Sequence, residues 1–304
     1  MYFAGDEGDR FSWKVRRCKM AKKIAVINDL SGFGHCSLTA AIPTISVMGV
    51  QPCPLPTAVL SAQTGYPSYY CDDYTDKMEY FRQEWEKMQV RFDGIYTGFV
   101  ASEAQIRHIF LFLDTFYKES TFLLVDPVMG DEGRVYKLFT PGLLQRMKEL
   151  ALRADVVTPN LTELCLLAGA DYAELEELKG EKELSEAAGD LAEKLMESGP
   201  ETVVVTGIRF EDAENGERMI GNLAVDRSGR RMSAFPYIGG SFSGTGDLFA
   251  SVIAGGIARG DDIFETMELA GKFIEKAMKD SMAEQVDRNA GTNFEKYLGM
   301  LLCR

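Results

Sequence analysis

Long apolar runs are missing from this sequence of 304 residues. No stretch approaches the roughly 18 to 20 consecutive apolar residues that cross a bilayer, so we expect no membrane partner. The first 20 residues carry charges throughout and lack the apolar segment of a secretory signal. These two absences favour a cytoplasmic protein.

Cysteine, histidine and positive charge are scarce as well. The 6 cysteines form no C-x-x-C pair and there are only 2 histidines, so neither a disulfide scaffold nor a zinc site is indicated. The 46 acidic residues outnumber the 33 basic ones and give a net charge of -13. Such a charge repels the phosphate backbone of nucleic acids, and we expect no nucleic-acid partner.

The sequence does contain enough apolar residues, 46% of the chain, to bury a sizeable core. Short apolar runs that are typical of buried strands lie at 24–27, 94–99, 121–126, 155–158 and 202–206. Helical patterns separate them at 75–89, 102–118, 140–152, 160–168 and 184–197. This alternation predicts an α/β fold in which helices cover both faces of a parallel sheet.

The pattern changes towards the C-terminus. Two β-like runs within 219–235 flank Arg227, Ser228 and Gly229, which predicts an antiparallel hairpin at the edge of the sheet. No domain boundary interrupts the remaining patterns. We therefore expect a single domain over residues 22–304, preceded at 1–21 by a polar segment that is either a disordered leader or an upstream start.

The strongest local signal is a glycine-rich turn that opens a helix. Residues 239–247 read GGSFSGTGD and precede an apolar helical stretch. The backbone N–H groups of such a turn, together with the helix dipole, suit a phosphate or a developing anion. Asp247 lies in the first turn of this helix. A plain N-terminal cap would explain an isolated Asp, but the glycines favour the close approach of a ligand.

Two acidic clusters follow predicted buried strands. Asp126 and Asp131 belong to DPVMGD, and Asn160 and Glu163 belong to TPNLTE, where their spacing also fits a capping box. Because ligands of open α/β sheets bind beyond the carboxyl ends of the strands, we expect both clusters to meet the glycine-rich turn. Carboxylates beside a phosphate site suggest Mg²⁺. The combination is what phosphoryl transfer to a hydroxyl requires, although no P-loop motif is present.

At these motifs the sequence resembles the ribokinase-like superfamily, and within it the pyridoxal/pyridoxamine (vitamin B6) kinases. The likeness rests on GTGD at 244–247, NLTE at 160–163, DPVMGD at 126–131, YTGF at 96–99 and SAQTGY at 61–66. It covers roughly residues 22 to 280. It implies a three-layer sandwich with a mostly parallel sheet and an antiparallel edge, ATP as co-substrate with Mg²⁺, and a homodimer. A monovalent cation such as K⁺ is a further candidate.

The resemblance also implies how the residues divide the reaction. Asp247 would take the proton from the 5'-hydroxymethyl group of the vitamer as this group attacks the γ-phosphate of ATP. The backbone amides of Gly244, Thr245 and Gly246 would form the anion hole for the phosphoryl group.

Binding roles are implied for a second set of residues. The metal would be held, directly or through water, by Asp126, Asp131 and Glu163, and Thr158 would help to hold a monovalent cation or a phosphate. The nucleotide would contact Asn160 and Thr206, and the substrate would contact Asp29, Ser31 and Thr64.

One position departs from the family pattern. Asp29, in the predicted strand-to-helix turn at 28–35, stands where familiar members have a serine that bonds the substrate ring. An ionised carboxylate only accepts hydrogen bonds, so Asp29 would favour a protonated ring nitrogen or an amine-bearing substrate, of which pyridoxamine is the candidate. The alternative is that Asp29 caps the following helix.

Two other functions stay open. A hydroxymethylpyrimidine kinase of thiamin synthesis would use equivalent machinery, although the glycine- and alanine-rich first turn usual in those enzymes is not seen at 28–37. A non-catalytic vitamin-binding protein could retain the same fold. The intact Asp247 argues against that second alternative.

Overall fold

The computed structural model describes residues 21–302, so the polar segment predicted at 1–21 lies outside it apart from its last residue. The strands are β1 (Lys23–Ser31), β2 (Gln51–Leu60), β3 (Cys71–Asp73), β4 (Gly94–Thr97), β5 (Phe122–Val125), β6 (Gly130–Asp131), β7 (Arg134–Val135), β8 (Val156–Val157), β9 (Thr202–Glu211), β10 (Arg218–Asp226) and β11 (Gly229–Pro236). The helices are α1 (Ser37–Val47), α2 (Thr75–Lys87), α3 (Glu103–Phe116), α4 (Pro141–Ala151), α5 (Leu161–Ala168), α6 (Tyr172–Glu176), α7 (Glu181–Met196), α8 (Thr245–Arg259) and α9 (Ile263–Ala283). Two 3₁₀ helices follow at Arg288–Ala290 and Glu295–Leu301.

Nine strands form one sheet in the order β11-β10-β9-β8-β5-β4-β1-β2-β3. The six strands from β9 to β2 in this order are parallel, whereas β3 at one edge and β10 and β11 at the other are antiparallel. The predicted parallel core and C-terminal hairpin are confirmed. The strands β6 and β7 form a separate small hairpin after β5.

Strand β2 is not predicted by the sequence patterns, because prolines at 52, 54 and 56 argue against a strand. These positions alternate, so all three proline nitrogens face the same side. Gln51 donates its backbone N–H to the carbonyl of Lys22, which places the odd-numbered amides towards β1. β3 pairs with β2 only from Ala58 onwards. The prolines therefore face an edge where no backbone donor is required.

The central strands bury side chains on both faces and thereby separate two apolar cores. Ala25 and Ile27 pack with helices α2, α3, α4, α5 and α7, whereas Ile24 and Val26 pack with α1, α8 and α9. This division of alternate residues confirms the three-layer arrangement. Within residues 21–302, none of the helices combines the length and the apolar character that crossing a bilayer requires.

Phe112 lies at the centre of an aromatic cluster in the first of these cores. Its ring is 1% exposed and lies 4.6 Å from that of Phe116 and 5.9 Å from that of Phe92. We expect Phe112→Ala to lower the free energy of unfolding by about 3–5 kcal/mol in urea denaturation, because the cavity cannot collapse within a rigid cluster. Leu111→Ala on the exposed side of the same helix is the control, with a loss within about 0.5 kcal/mol. Equal losses would show that the cluster does not belong to the cooperative core.

Candidate active site

The carboxyl ends of the parallel strands meet the N-terminus of α8 at one edge of the sheet. Asp126 directly follows β5, and Thr158 directly follows β8. Asn28 near the end of β1 donates from Nδ2 to Oδ1 of Asp247 at 3.0 Å, across 219 residues of sequence. The glycine-rich turn and the acidic motifs are thus brought to one place, as their positions after strands predict.

The glycine-rich turn packs closely against the loop that precedes α1. Gly244, the residue before α8, has a φ of 82°, and a Cβ at this position would collide with the carbonyl oxygen of His35. Only glycine combines this conformation with this approach. Thr245 donates its hydroxyl to the carbonyl of Phe242 at 3.1 Å, and open space surrounds Gly246. This is the arrangement that the predicted anion hole requires.

Asp247 is half-buried beside this turn. Burial raises the pKa of its carboxyl to about 6, and the charge of Asp29 adds to the rise. Hydrogen bonds from the backbone N–H of Ser37 and from Asn28 oppose it. A carboxylate whose pKa lies this close to neutrality is suited to accept a proton and to release it again.

Asp126 is a further carboxyl group at this edge. It is buried and accepts a hydrogen bond from Oγ1 of Thr158 at 3.1 Å. Burial raises its pKa well above the ordinary range, and the negative charges of Glu163 and Asp247 add to the rise. A cation would relieve this accumulation of charge, so the surroundings of Asp126 fit a bound Mg²⁺.

Glu163 is engaged by backbone amides instead. It completes a capping box with Asn160, in which Oδ1 of Asn160 accepts from the backbone N–H of Glu163 and Oε2 of Glu163 accepts from that of Asn160. Its Oε1 accepts from the backbone N–H of Met129 at 2.9 Å. Burial raises the pKa of Glu163 to about 7 despite these bonds. The capping box is therefore confirmed, and a contact between Glu163 and a metal, directly or through water, stays a prediction.

The expected metal set of Asp126, Asp131 and Glu163 does not converge. Asp131 is exposed in the β6–β7 hairpin and accepts from the backbone N–H of Glu132, while the carboxylate of Glu163 accepts from the backbone N–H groups of Met129 and Asn160. In the part of the chain that the structure describes, no three His, Cys, Asp or Glu side chains are grouped to hold a metal. Mg²⁺ often keeps several waters and needs only one or two carboxylates, so binding through Asp126 and water stays a prediction.

The two residues predicted to contact the nucleotide are neighbours. Asn160 and Thr206 form a parallel bridge, and Thr206 donates its backbone N–H to the carbonyl of Pro159 at 2.9 Å. Nδ2 of Asn160 donates to the carbonyl of Gly130 at 2.8 Å. A cavity of about 330 Å³ opens beside Asn160, with Tyr237 in its wall. The carboxyl ends of β8 and β9 thus offer room next to the predicted contacts.

The predicted turn at 28–35 is wrong in its first half, because pairing with β2 continues β1 to Ser31. Asp29 is 6% exposed, and its carboxylate accepts from Oγ of Ser31 at 2.9 Å and from Oγ of Ser37 at 2.5 Å. It does not cap α1, whose N-cap residue is Cys36. Thr64 lies exposed in the loop after β2.

Sequence reasoning missed Asn28. Its side chain is fully buried, and Oδ1 accepts from the backbone N–H groups of Asp29 and Phe99, each at 2.9 Å. A Cβ on Gly98 would collide with the carboxamide. The available signal was a polar residue immediately after the apolar run at 24–27, at the carboxyl end of a buried strand.

Gly244 and Gly246 provide a matched pair for testing the anion hole. Gly244→Ala should displace the turn, because alanine disfavours a φ of 82° and its Cβ meets His35. We expect the affinity for ATP, measured by isothermal titration calorimetry, to fall about tenfold or more. Gly246→Ala keeps its N–H and enters open space, so its affinity should stay within about twofold. Similar affinities for both variants would contradict the assignment.

The chain is similar to known kinases over most of its length. The family profile described as phosphomethylpyrimidine kinase matches residues 33–292. A solved structure from Bacteroides thetaiotaomicron, described as a proposed phosphomethylpyrimidine kinase, is 37% identical with a TM-score of 0.85 and covers 93% of this chain and 95% of its own. A second crystal form of that protein, which contains pyridoxal, is 36% identical with a TM-score of 0.83. The match covers 92% of this chain and 96% of the Bacteroides chain.

Curated relatives carry names of both substrate classes. A pyridoxal kinase of Rubrobacter xylanophilus is 37% identical over 150 residues, which span 49% of this chain and 48% of that relative. A pyridoxine/pyridoxal/pyridoxamine kinase of Bordetella avium is 25% identical over 81% of both chains. A hydroxymethylpyrimidine/phosphomethylpyrimidine kinase of Bacillus subtilis is 25% identical over 85% of this chain and 83% of its own. The chain belongs to the phosphomethylpyrimidine kinase family, within the kinases of ribokinase-like fold.

Proposed function

We propose that this protein transfers the γ-phosphoryl group of ATP to the 5'-hydroxymethyl group of a vitamin B6 vitamer. The observation that carries the proposal is the position of Asp247, a half-buried carboxylate with a raised pKa directly behind the glycine-rich turn. The pyridoxal in the Bacteroides structure and the names of the Rubrobacter and Bordetella relatives support the substrate class. A homodimer and a cytoplasmic location remain predictions.

The proposed reaction assigns each step to a named group. Asp247 accepts the proton of the substrate hydroxyl while the hydroxyl oxygen forms a bond to the γ-phosphorus. The bond between this phosphorus and the bridging oxygen breaks, and ADP leaves with the electron pair. The amides of Gly244, Thr245 and Gly246 offset the charge on the phosphoryl oxygens.

Asp126 would hold Mg²⁺, with Thr158 orienting its carboxylate and with Asp131 and Glu163 contributing directly or through water. When bound, the ion neutralises part of the charge of the triphosphate. Asn160 and Thr206 would contact the nucleotide beside it. A monovalent cation such as K⁺ near Thr158 remains a prediction.

A hydroxymethylpyrimidine kinase is the second candidate. The description of the family profile and the Bacillus relative favour it. Both substrate classes present a hydroxymethyl group on a six-membered aromatic ring, so the groups around Asp247 would serve either. The difference must therefore lie in the residues that surround the ring.

Asp247→Asn tests catalysis separately from binding. We expect kcat to fall by about 10²–10⁴-fold, because the amide cannot accept the proton, while the affinity for ATP stays within about twofold. The measurement is coupled ADP release with pyridoxal, pyridoxamine, pyridoxine and hydroxymethylpyrimidine in turn. Asp114→Asn, an exposed position on α3, is the control. If only hydroxymethylpyrimidine stimulates ADP release by the wild-type protein, the second candidate is favoured. If none of the four substrates stimulates ADP release, a non-catalytic binding protein is favoured.

The predicted preference for pyridoxamine depends on contact between Asp29 and the substrate amine. Both oxygens of this carboxylate accept serine hydroxyls, so the amine would have to share them. If the contact forms, kcat/KM should be highest for pyridoxamine, and Asp29→Ser should lower the ratio of pyridoxamine to pyridoxal turnover. A ratio that the substitution leaves unchanged would remove the preference.

A further inference from the structure

The carboxamide of Asn28 has one orientation that satisfies its surroundings. Oδ1 accepts from two backbone N–H groups, those of Asp29 and Phe99. Turning the amide over would present its NH₂ group to these two donors, which is unfavourable in a fully buried site. Nδ2 is therefore directed at Oδ1 of Asp247, 3.0 Å away. Asn28 joins β1, the residues after β4 and α8 through one side chain.

Asp29 reaches Asp247 by a different route. Its carboxylate accepts from the hydroxyl of Ser37, the first residue of α1, which has a φ of 50°. A non-glycine residue is held in this left-handed region only by its surroundings, and the Asp29–Ser37 hydrogen bond provides such a restraint. The backbone N–H of Ser37, held in this conformation, lowers the pKa of Asp247.

The two neighbours influence the charge of Asp247 in opposite directions. The hydrogen bond from Asn28 lowers the pKa of Asp247, whereas the negative charge of Asp29 raises it. Other titratable groups also interact with Asp247, and burial raises the pKa of each of them: Cys36 before α1, Tyr96 in β4, Asp126 after β5 and Tyr136 after β7.

We propose that Asn28 and Asp29 are positioning residues for Asp247, Asn28 through a direct hydrogen bond and Asp29 through Ser37 and its own charge. The proposal rests on the proposed function of Asp247 as the base. It assigns Asp29 an effect on every substrate alike, in contrast to the contact with one vitamer considered above. Asn28 holds the carboxylate of Asp247 in place and favours its ionised form. The negative charge of Asp29 makes Asp247 a stronger base.

The acid limb of the pH profile of kcat/KM distinguishes this role from a general loss of structure. Asn28→Ser removes the Nδ2 donor and should move the limb to higher pH, because the ionised base then forms only at higher pH. Asp29→Asn removes the charge and should move the limb to lower pH. We expect shifts of about one pH unit in opposite directions, with kcat lowered and the KM for the vitamers within about threefold.

Asp114→Asn provides the matched control, because this exposed residue lies near the C-terminal end of α3, away from the carboxyl ends of the strands. The pH profile of this variant should equal that of the wild type. Shifts in the same direction for Asn28→Ser and Asp29→Asn, or no shift in folded protein, would overturn the proposal.

The pKa of Asp247 can also be followed by ¹³C NMR of labelled carboxyl groups, with Asp247→Asn identifying the signal. Opposite shifts of the Asp247 pKa should appear in the NMR titration even if the protein phosphorylates no vitamer. The NMR result therefore tests the positioning roles of Asn28 and Asp29 independently of the proposed function.

Ser37 gives a second test that does not depend on the folding of the Asn28 variant. Ser37→Ala removes the hydroxyl that Asp29 holds, and alanine disfavours a φ of 50°. Ser37→Gly removes the same hydroxyl but adopts this conformation without strain. We expect kcat to fall about tenfold or more for Ser37→Ala and to be largely restored in Ser37→Gly. Equal losses in the two variants would show that Asp29 does not act through the conformation of Ser37.

Discussion

Negative charge brought together at the carboxyl edge of the sheet is the constraint that governs this site. The charges of Glu163 and Asp247 act on Asp126, the charge of Asp29 acts on Asp247, and burial raises the pKa of all four groups. The fold compensates them unequally. Glu163 receives backbone amides, Asp29 receives two hydroxyls, and Asp126 receives a single threonine hydroxyl. Asp126 accepts the fewest hydrogen bonds of these three groups, and its surroundings fit a cation best.

Topology explains why these charges meet. Each parallel strand delivers the residue after its end to the same edge, and the return through a helix on either face repeats this for β1, β4, β5 and β8. Helix α8 adds its N-terminus because it packs in the layer of α1 and α9, where Gly244 allows contact with the loop before α1. The proposed phosphate site and the proposed base are therefore placed by packing between helices as much as by the sheet.

The same geometry explains why the relatives carry two kinds of name. The groups that would act on phosphate and on a hydroxyl proton lie at the ends of β5 and β8 and at the start of α8. The substrate ring would lie towards the end of β1 and the loop after β2, where Ser31 and Thr64 are found. Under the proposed function, substitutions near Ser31 and Thr64 would change the ring that is accepted without disturbing the groups that act on phosphate. Asp29 belongs to both sides, since its backbone is in β1 and its charge acts on Asp247.

The sequence alone determined the layered fold, the parallel core and the motifs of the site, because these depend on local periodicity and on short patterns of glycine and acidic residues. It could not predict β2, whose prolines are tolerated only because an unpaired edge faces them. Nor could it predict the hydrogen bond from the backbone amide of Met129 to Glu163, because these two residues approach each other only in the folded chain. Asn28 escaped notice for the same reason. Its importance comes from a contact across 219 residues, and only tertiary packing creates contacts of that length.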